Sequence, residues 1–285
     1  RSGLWRRSLI LIVSVVSGKG GAGKTTIATS LAHIFQADYY DLDVDAPNGE
    51  YFLHPANWTT RDVPQQQPEI DESLCSACGA CTKECRFNAL YKIADHVYLT
   101  ETLCHSCNLC REVCPEGAIS YKPVVIGTVR TGHSHKTGAR AIIGDLTIGS
   151  TRGTSLIQDI VQQIDSQGTV IIDGPPGNSC AAVAAIKPAD LVVLVVEPTP
   201  FGIHDMLQTL DILKNLQKKT VIIANKSQGD ELLISLLAER GLKLSASIPL
   251  QMEYHKALLD GEILSQCDQQ IYQLLLQAVA VEIKN

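Results

Sequence analysis

A chain of 285 residues with 45% hydrophobic side chains has room for one large α/β domain or two ordinary ones and can bury a substantial core. A formal net charge of −6 argues against nucleic acid or an anionic membrane as the main partner, and no apolar run reaches the roughly 18 residues of a transmembrane span. Ten cysteines would suit a disulfide-stapled secreted protein by number; eight of them, however, fall between positions 75 and 114 at metal-ligand spacing, which implies a reducing, cytoplasmic setting.

In chain order, residues 1–7 are set aside as a tag scar or truncation. Residues 9–17 form a continuous apolar run, expected as a parallel strand buried on both faces. A glycine-rich loop follows at 18–23. From Lys24, the apolar residues Ile27, Leu31, Ile34 and Phe35 recur at helical spacing, and 39–43 reads as a short second strand. Residues 55–68, with Pro64-Gln65-Gln66-Gln67-Pro68, read as a linker. A cysteine-rich insert occupies 69–122. The α/β rhythm resumes after Pro123, with strands at 170–173, 191–196 and 221–225, helices near 154–165, 205–217 and 230–240, and a helical tail at 268–283 that is apolar on one side and should pack on the domain. The expected fold is a doubly wound parallel sheet of the P-loop NTPase class, made of 1–66 and 124–285, with a small α+β domain inserted at 67–123.

Gly18-Lys19-Gly20-Gly21-Ala22-Gly23-Lys24-Thr25 matches G-x-x-x-x-G-K-[ST] after a strand and before a helix, the context a phosphate loop requires. Backbone N–H groups of such a loop, continuing into Thr26, turn toward phosphate oxygens at a helix N-terminus. Lys24 is expected at the β/γ-phosphates of ATP, and the Thr25 hydroxyl on Mg²⁺.

The additional lysine gives Lys-Gly-Gly-Ala-Gly-Lys-Thr-Thr, which resembles the deviant Walker A loop of the MinD, ParA and nitrogenase iron protein family. The resemblance implies a nucleotide-driven face-to-face dimer, with itself or with a paralogue, in which Lys19 reaches the partner's nucleotide. Asp41-Leu42-Asp43 resembles the family's switch I, implying Asp43 orients the attacking water and Asp41 stands in the outer shell of Mg²⁺; Asp45 is as readily a turn residue. Asp173-Gly174-Pro175-Pro176-Gly177 resembles switch II, implying Asp173 near Mg²⁺ and Gly177 sensing the γ-phosphate. Asn225 and Pro249 resemble the adenine contacts.

The insert carries C-x₂-C-x₂-C-x₃-C twice, displaced by 29 positions, and the second copy continues into Pro115. This is the bacterial two-cluster ferredoxin pattern, in which the fourth cysteine of each run serves the other cluster. The pattern assigns Cys75, Cys78, Cys81 and Cys114 to one [4Fe–4S] cluster and Cys104, Cys107, Cys110 and Cys85 to the second. Arg86 stands where proline is usual in the first copy. Zinc is the alternative, though zinc sites favour paired C-x₂-C units.

The whole arrangement resembles MinD-superfamily ATPases with an inserted ferredoxin domain. By analogy with the nitrogenase iron protein, Cys180, seven residues after Asp173, is a candidate metal or cluster ligand at a dimer interface, although a buried inert thiol fits it as well. Cys267 reads as packing, and the polar stretch 132–138, with His133 and His135, as a flexible loop. The leading expectation is an ATPase, slow without a partner, whose nucleotide state controls the two-cluster module in metal-cluster assembly or its redox step, with a redox or cluster-acceptor protein as partner. The alternatives are an ATP-gated electron carrier to a reductase and an ATP-dependent switch with redox-sensing clusters.

Overall fold

The computed structural model describes residues 10–165 and 168–284; residues 1–7 and the first position of the run 9–17 lie outside them. Two compact units are present. The first takes the residues up to Thr60, Val129–Asp145 and Ile157 onward; the second takes Arg61–Thr128 with Leu146–Leu156.

The apolar runs of the first unit form buried strands: β1 (Leu11–Ser17), β2 (Asp38–Asp41), then β3 (Pro55–Ile70), which continues into the second unit. The second unit holds β4 (Leu90–Ile93) and β5 (His96–Leu99), and β6 (Ile119–Ser134) leads back to β7 (Arg140–Leu146), β8 (Thr169–Asp173), β9 (Leu191–Val196), β10 (Lys219–Ser227) and β11 (Ala246–Pro249). The large sheet has nine strands in the order β11-β10-β9-β1-β8-β2-β7-β6-β3. Strands β11 through β7 of that order pair in parallel. All six residues of β9 are buried, as expected where helices cover both faces. Helix Lys24–Phe35 packs Ile27, Ala28 and Leu31 into one core layer with Val13, Val15, Ile171 and Val193. The C-terminal helix Gln269–Lys284 adds Ile271, Leu275 and Val279 to that layer. Met206, Leu210 and Leu213 of helix Pro200–Asn215 cover the opposite face over Val192, Leu194 and Ile222.

The parallel register fixes what stands where the strands end. Asp41 pairs with Asp173, Val15 pairs with Asp173 across the other side, and Ser17 pairs with Val195. The ends of β1, β2 and β8 therefore share one carboxyl edge, where ligands of open α/β sheets bind.

Residues 55–68 are not a linker: they lie in the 16-residue strand β3. Its prolines are tolerated because β3 is the last strand of the sheet, where an N–H facing outward has no ladder to serve. The stretch 132–138, expected as a loop, is one only in part. It finishes β6 and turns into β7, pinned by the Ser134 hydroxyl donating to the Leu53 carbonyl at 2.7 Å and by Lys136 donating to the Gly261 carbonyl at 2.8 Å. His133 and His135 are exposed there.

In the second unit β4 and β5 form an antiparallel hairpin, with Tyr91 opposite Tyr98. The 29-residue repeat is visible in the backbone. Left-handed φ values recur at Ala77 and Ser106 (50° and 54°), Gly79 and Asn108 (81° and 66°), and Asn88 and Gly117 (52° and 62°). The short helices Ala80–Glu84 and Leu109–Glu112 start at matching points of the two copies. One apolar cluster of this unit gathers Cys81, Leu90 and Ile119, with Ile70, Val97, Leu99 and Val113 against them.

Candidate functional site

The phosphate loop is shaped by positions that admit no larger side chain. Gly21 and Gly23 have φ of 80° and 92°. A Cβ on Gly23 would stand 2.1 Å from the Asn225 amide nitrogen, and one on Gly18 would stand 2.4 Å from the Asp205 backbone. Asn225 donates its amide N–H to the Ala22 carbonyl at 2.9 Å, and Lys226 Nζ donates to the Gly21 carbonyl at 2.7 Å. With these carbonyls tied back, the loop's N–H groups are left for a ligand. Lys24 is buried at the head of its helix. Lys19 is half-buried and forms an ion pair with Glu197, just after β9, with Nζ 3.5 Å from Oε2.

Two buried carboxylates lie at the neighbouring strand ends. Both oxygens of Asp41 accept backbone N–H groups, from Asp43 at 3.2 Å, Asn48 at 3.0 Å and Gly49 at 2.8 Å. Burial and the adjacent Asp173 hold its carboxyl well above the usual range. Asp173 accepts from the Tyr39 hydroxyl at 2.9 Å through Oδ2, while its buried Oδ1 has no hydrogen-bond partner. Burial pushes Asp173 up to about 6, opposed by Thr25 and Lys24 beside it. Asp43 is raised by burial, with Lys24 opposing and Asp45 reinforcing the shift. Gly177, at φ 81°, donates its N–H to the Ser17 carbonyl at 2.9 Å, so that donor is engaged with β1. Pro249 pairs with Ser227, two residues beyond Asn225.

In the second unit the eight cysteines divide between two cavities. One is lined by Cys75, Cys78, Cys81 and Cys114; the other by Cys85, Cys104, Cys107 and Cys110. Each cavity thus takes three thiols from one repeat and the fourth from the other. Cys78 and Cys107 are exposed, whereas Cys81 and Cys104 are buried. Burial raises the Cys81 thiol, with further contributions from Cys110, Cys114 and Cys75; burial likewise raises Cys110. Among the described residues no three His, Cys, Asp or Glu side chains converge as ligands of a single ion.

The pattern of the CobQ/CobB/MinD/ParA nucleotide binding domain matches residues 13–264. The chain belongs to this family. Among its relatives is protein MJ0578 of Methanocaldococcus jannaschii, 30% identical over 268 residues that cover 91% of each chain. MJ0579 of the same organism is 28% identical over 226 residues, covering 77% of this chain and 81% of its own. The fold is similar to that of the septum site-determining protein MinD of Pyrococcus horikoshii, solved with Mg-ADP (TM-score 0.56, 15% identity, 94% of both chains). It is also similar to the cell division ATPase MinD of Pyrococcus furiosus (TM-score 0.58, 16% identity, 96% of this chain and 98% of that one).

For this member of the CobQ/CobB/MinD/ParA family, sequence reasoning missed several residues around the loop. Glu197 follows a strand as any surface acid might, and only the fold brings it to Lys19. Tyr39 reads as a core aromatic, although its place two residues before Asp41 on a parallel strand aims both side chains to the same face. Cys180 is exposed at the start of the helix Cys180–Ile186, not buried, and Cys267 is exposed as well. Among the described residues no helix is long and apolar enough to cross a membrane.

Proposed function

We propose that this chain is an ATP-hydrolysing iron–sulfur protein, in which a nucleotide-driven dimer, with itself or with a paralogue, is coupled to two [4Fe–4S] clusters that serve metal-cluster assembly or its redox step. The interleaved division of the eight thiols between two cavities is the observation that carries it. Iron–sulfur cubes take four thiolates spread around a body larger than an ion, whereas zinc draws its four ligands to about 2.3 Å. The donor set is all sulfur, which suits iron–sulfur chemistry. When bound, the clusters supply one-electron chemistry.

The nucleotide site fits Mg²⁺–ATP on its own terms. The orphaned, buried Oδ1 of Asp173 lacks a partner that a divalent cation would provide, and Thr25 stands beside it. Lys24 neutralises the β/γ-phosphates while the N–H groups of residues 20–26 bind them. Asp43 holds and orients the attacking water. Asp41, with both oxygens given to N–H groups of residues 43–49, keeps that loop in place, which makes it a positioning residue rather than a direct participant. Lys19 must leave Glu197 before it can serve a partner's nucleotide. Gly177 must likewise release Ser17 before its N–H can meet a γ-phosphate. Two relatives in one organism favour the paralogue arrangement as much as the homodimer. The exposed Cys78 and Cys107 put an edge of each cavity at the surface, which supports electron delivery to a reductase as the second reading.

Anaerobic reconstitution with iron and sulfide, followed by EPR of the reduced protein with and without MgATP, tests the proposal. About eight irons per chain and a nucleotide-dependent signal are expected. Uptake of zinc with no iron, or eight irons with a spectrum indifferent to nucleotide, rules out the coupled reading.

A further inference from the structure

The two cysteine cavities are copies of one design, yet their surroundings differ at matched positions. Tyr121 lies with its hydroxyl oxygen 3.4 Å from Cys110 Sγ. A metal-ligating cysteine is a thiolate and can only accept, so this contact places a phenol donor on a ligand sulfur. Twenty-nine positions earlier the first repeat has Lys92, whose ammonium donates to the Ala77 carbonyl instead.

Ser106 makes a second difference. It lines the cavity of Cys85, Cys104, Cys107 and Cys110, and its buried hydroxyl has no hydrogen-bond partner. Its counterpart in the first repeat is Ala77, which has no donor to offer. The third difference is a buried cation. Arg152 is only 5% exposed and donates through Nε to the Cys104 carbonyl at 2.7 Å. Its other contacts are the Gln67 amide oxygen at 3.2 Å and the Glu101 carbonyl at 3.3 Å, both neutral. Lys83, Arg86 and Lys92, cations of the first repeat, are exposed, and water screens their charge. Backbone donors do not separate the two sites. Ala118 gives its N–H to Cys114 Sγ at 3.3 Å, and such main-chain donors are general to cysteine-ligated loops.

Adding an electron to a cysteine-ligated cluster puts negative charge on iron and sulfur. Hydrogen bonds to the sulfurs and a nearby buried cation stabilise that charge, and both set cluster potentials. We propose that the two sites are electrically unequal, and that the site of Cys85, Cys104, Cys107 and Cys110 accepts an electron before the site of Cys75, Cys78, Cys81 and Cys114. With both groups bound, one electron given by an external reductant would rest first at the site of Cys85, Cys104, Cys107 and Cys110, with no bond made or broken and no proton required. This rests on the reading of both cavities as cluster sites.

The test is a poised redox titration of the full, reconstituted chain with dithionite as reductant, followed by EPR. Two waves are expected, separated so that the site of Cys85, Cys104, Cys107 and Cys110 is reduced at least tenfold ahead of the other, about 59 mV for a one-electron couple. Tyr121→Phe and Ser106→Ala should move only the upper wave, downward. Ala77→Ser, which gives the first site the hydroxyl it lacks, should move only the lower wave, upward. Iron content and circular dichroism show that each variant is loaded and folded. Eight irons with a single unresolved wave, or a Tyr121→Phe shift in the lower wave, overturns the inequality while leaving the cluster reading standing. A chain that takes up no iron overturns both.

Discussion

The phosphate loop and the two cysteine cavities are held in place by different means. The loop sits on a core of fully buried aliphatic side chains from β1, β8, β9 and the helix Lys24–Phe35. Its shape is set by glycine backbone angles and by carbonyls tied to Asn225 and Lys226. Between the cavities the cysteine unit has a cluster of three buried residues, Cys81, Leu90 and Ile119, the first a proposed ligand, and it leaves Leu74, Ile93, Tyr91 and Tyr98 exposed. If its thiols hold clusters as proposed, the free energy of binding them adds to the folding free energy of this unit. The nucleotide site, by contrast, should stand without its ligand.

That contrast can be broken at either end. The largest effect expected is from Lys24→Ala: ATP turnover should fall by about 10²-fold or more, while the iron content stays unchanged. Loss of iron in this variant would show that the two regions are not independently held. Next comes Cys81→Ala, which removes a buried proposed ligand and part of its apolar cluster together. It should cost about half the iron and expose the second unit to proteolysis, with nucleotide affinity intact. Full iron retention would remove Cys81 from the ligand set.

A smaller and graded effect is expected with pH. Asp173 is raised from 3.8 to about 6, so in the folded protein it is protonated more readily than in the unfolded chain. Its ionisation therefore works against folding as pH rises through that window, and a bound divalent cation offsets this cost. Mg²⁺-dependent nucleotide binding should accordingly weaken as pH falls below about 6, as isothermal titration at stepped pH would report. Affinity unchanged down to pH 4.5 would exclude Asp173 as the residue near the metal. The smallest effect concerns Glu197→Gln. A partly exposed pair with Nζ 3.5 Å from Oε2 is worth less than about 1 kcal/mol. Freeing Lys19 should thus tighten ATP-dependent dimerisation only a few-fold by analytical ultracentrifugation, whereas weaker dimerisation would mean that Glu197 itself serves the interface.

The parts of this architecture that were legible in the sequence are those written in local periodicity and spacing. The continuous apolar runs marked β8, β9 and the body of β10, and the glycines and Lys24 marked the phosphate loop, because each signal is confined to one segment. What escaped is what depends on neighbours far along the chain. Residues 55–68 looked like a linker because glutamines and prolines carry no core signal, yet an edge position accepts them. Lys136 anchors the turn before β7 by reaching Gly261, a partner 125 positions away. Arg152 lies in the stretch between β7 and the helix Gly153–Gln162, and nothing around it in the sequence ties it to Cys104. Asp41 and Asp43 take their separate roles from the family resemblance; what escaped is that the fold turns the N–H groups of residues 43, 48 and 49 toward Asp41.

The outer edge of the nine-stranded sheet has one more consequence. An open edge strand of 16 residues is a template on which strands of other chains can add, the first step toward aggregation. In β3 the prolines at 55, 64 and 68 remove backbone donors at intervals, and Arg61 and Asp62 place charge between them. Any passing strand therefore meets an interrupted ladder. The same residues that disguise this segment as a linker thereby protect the protein's solubility at the place where its sheet is left unfinished.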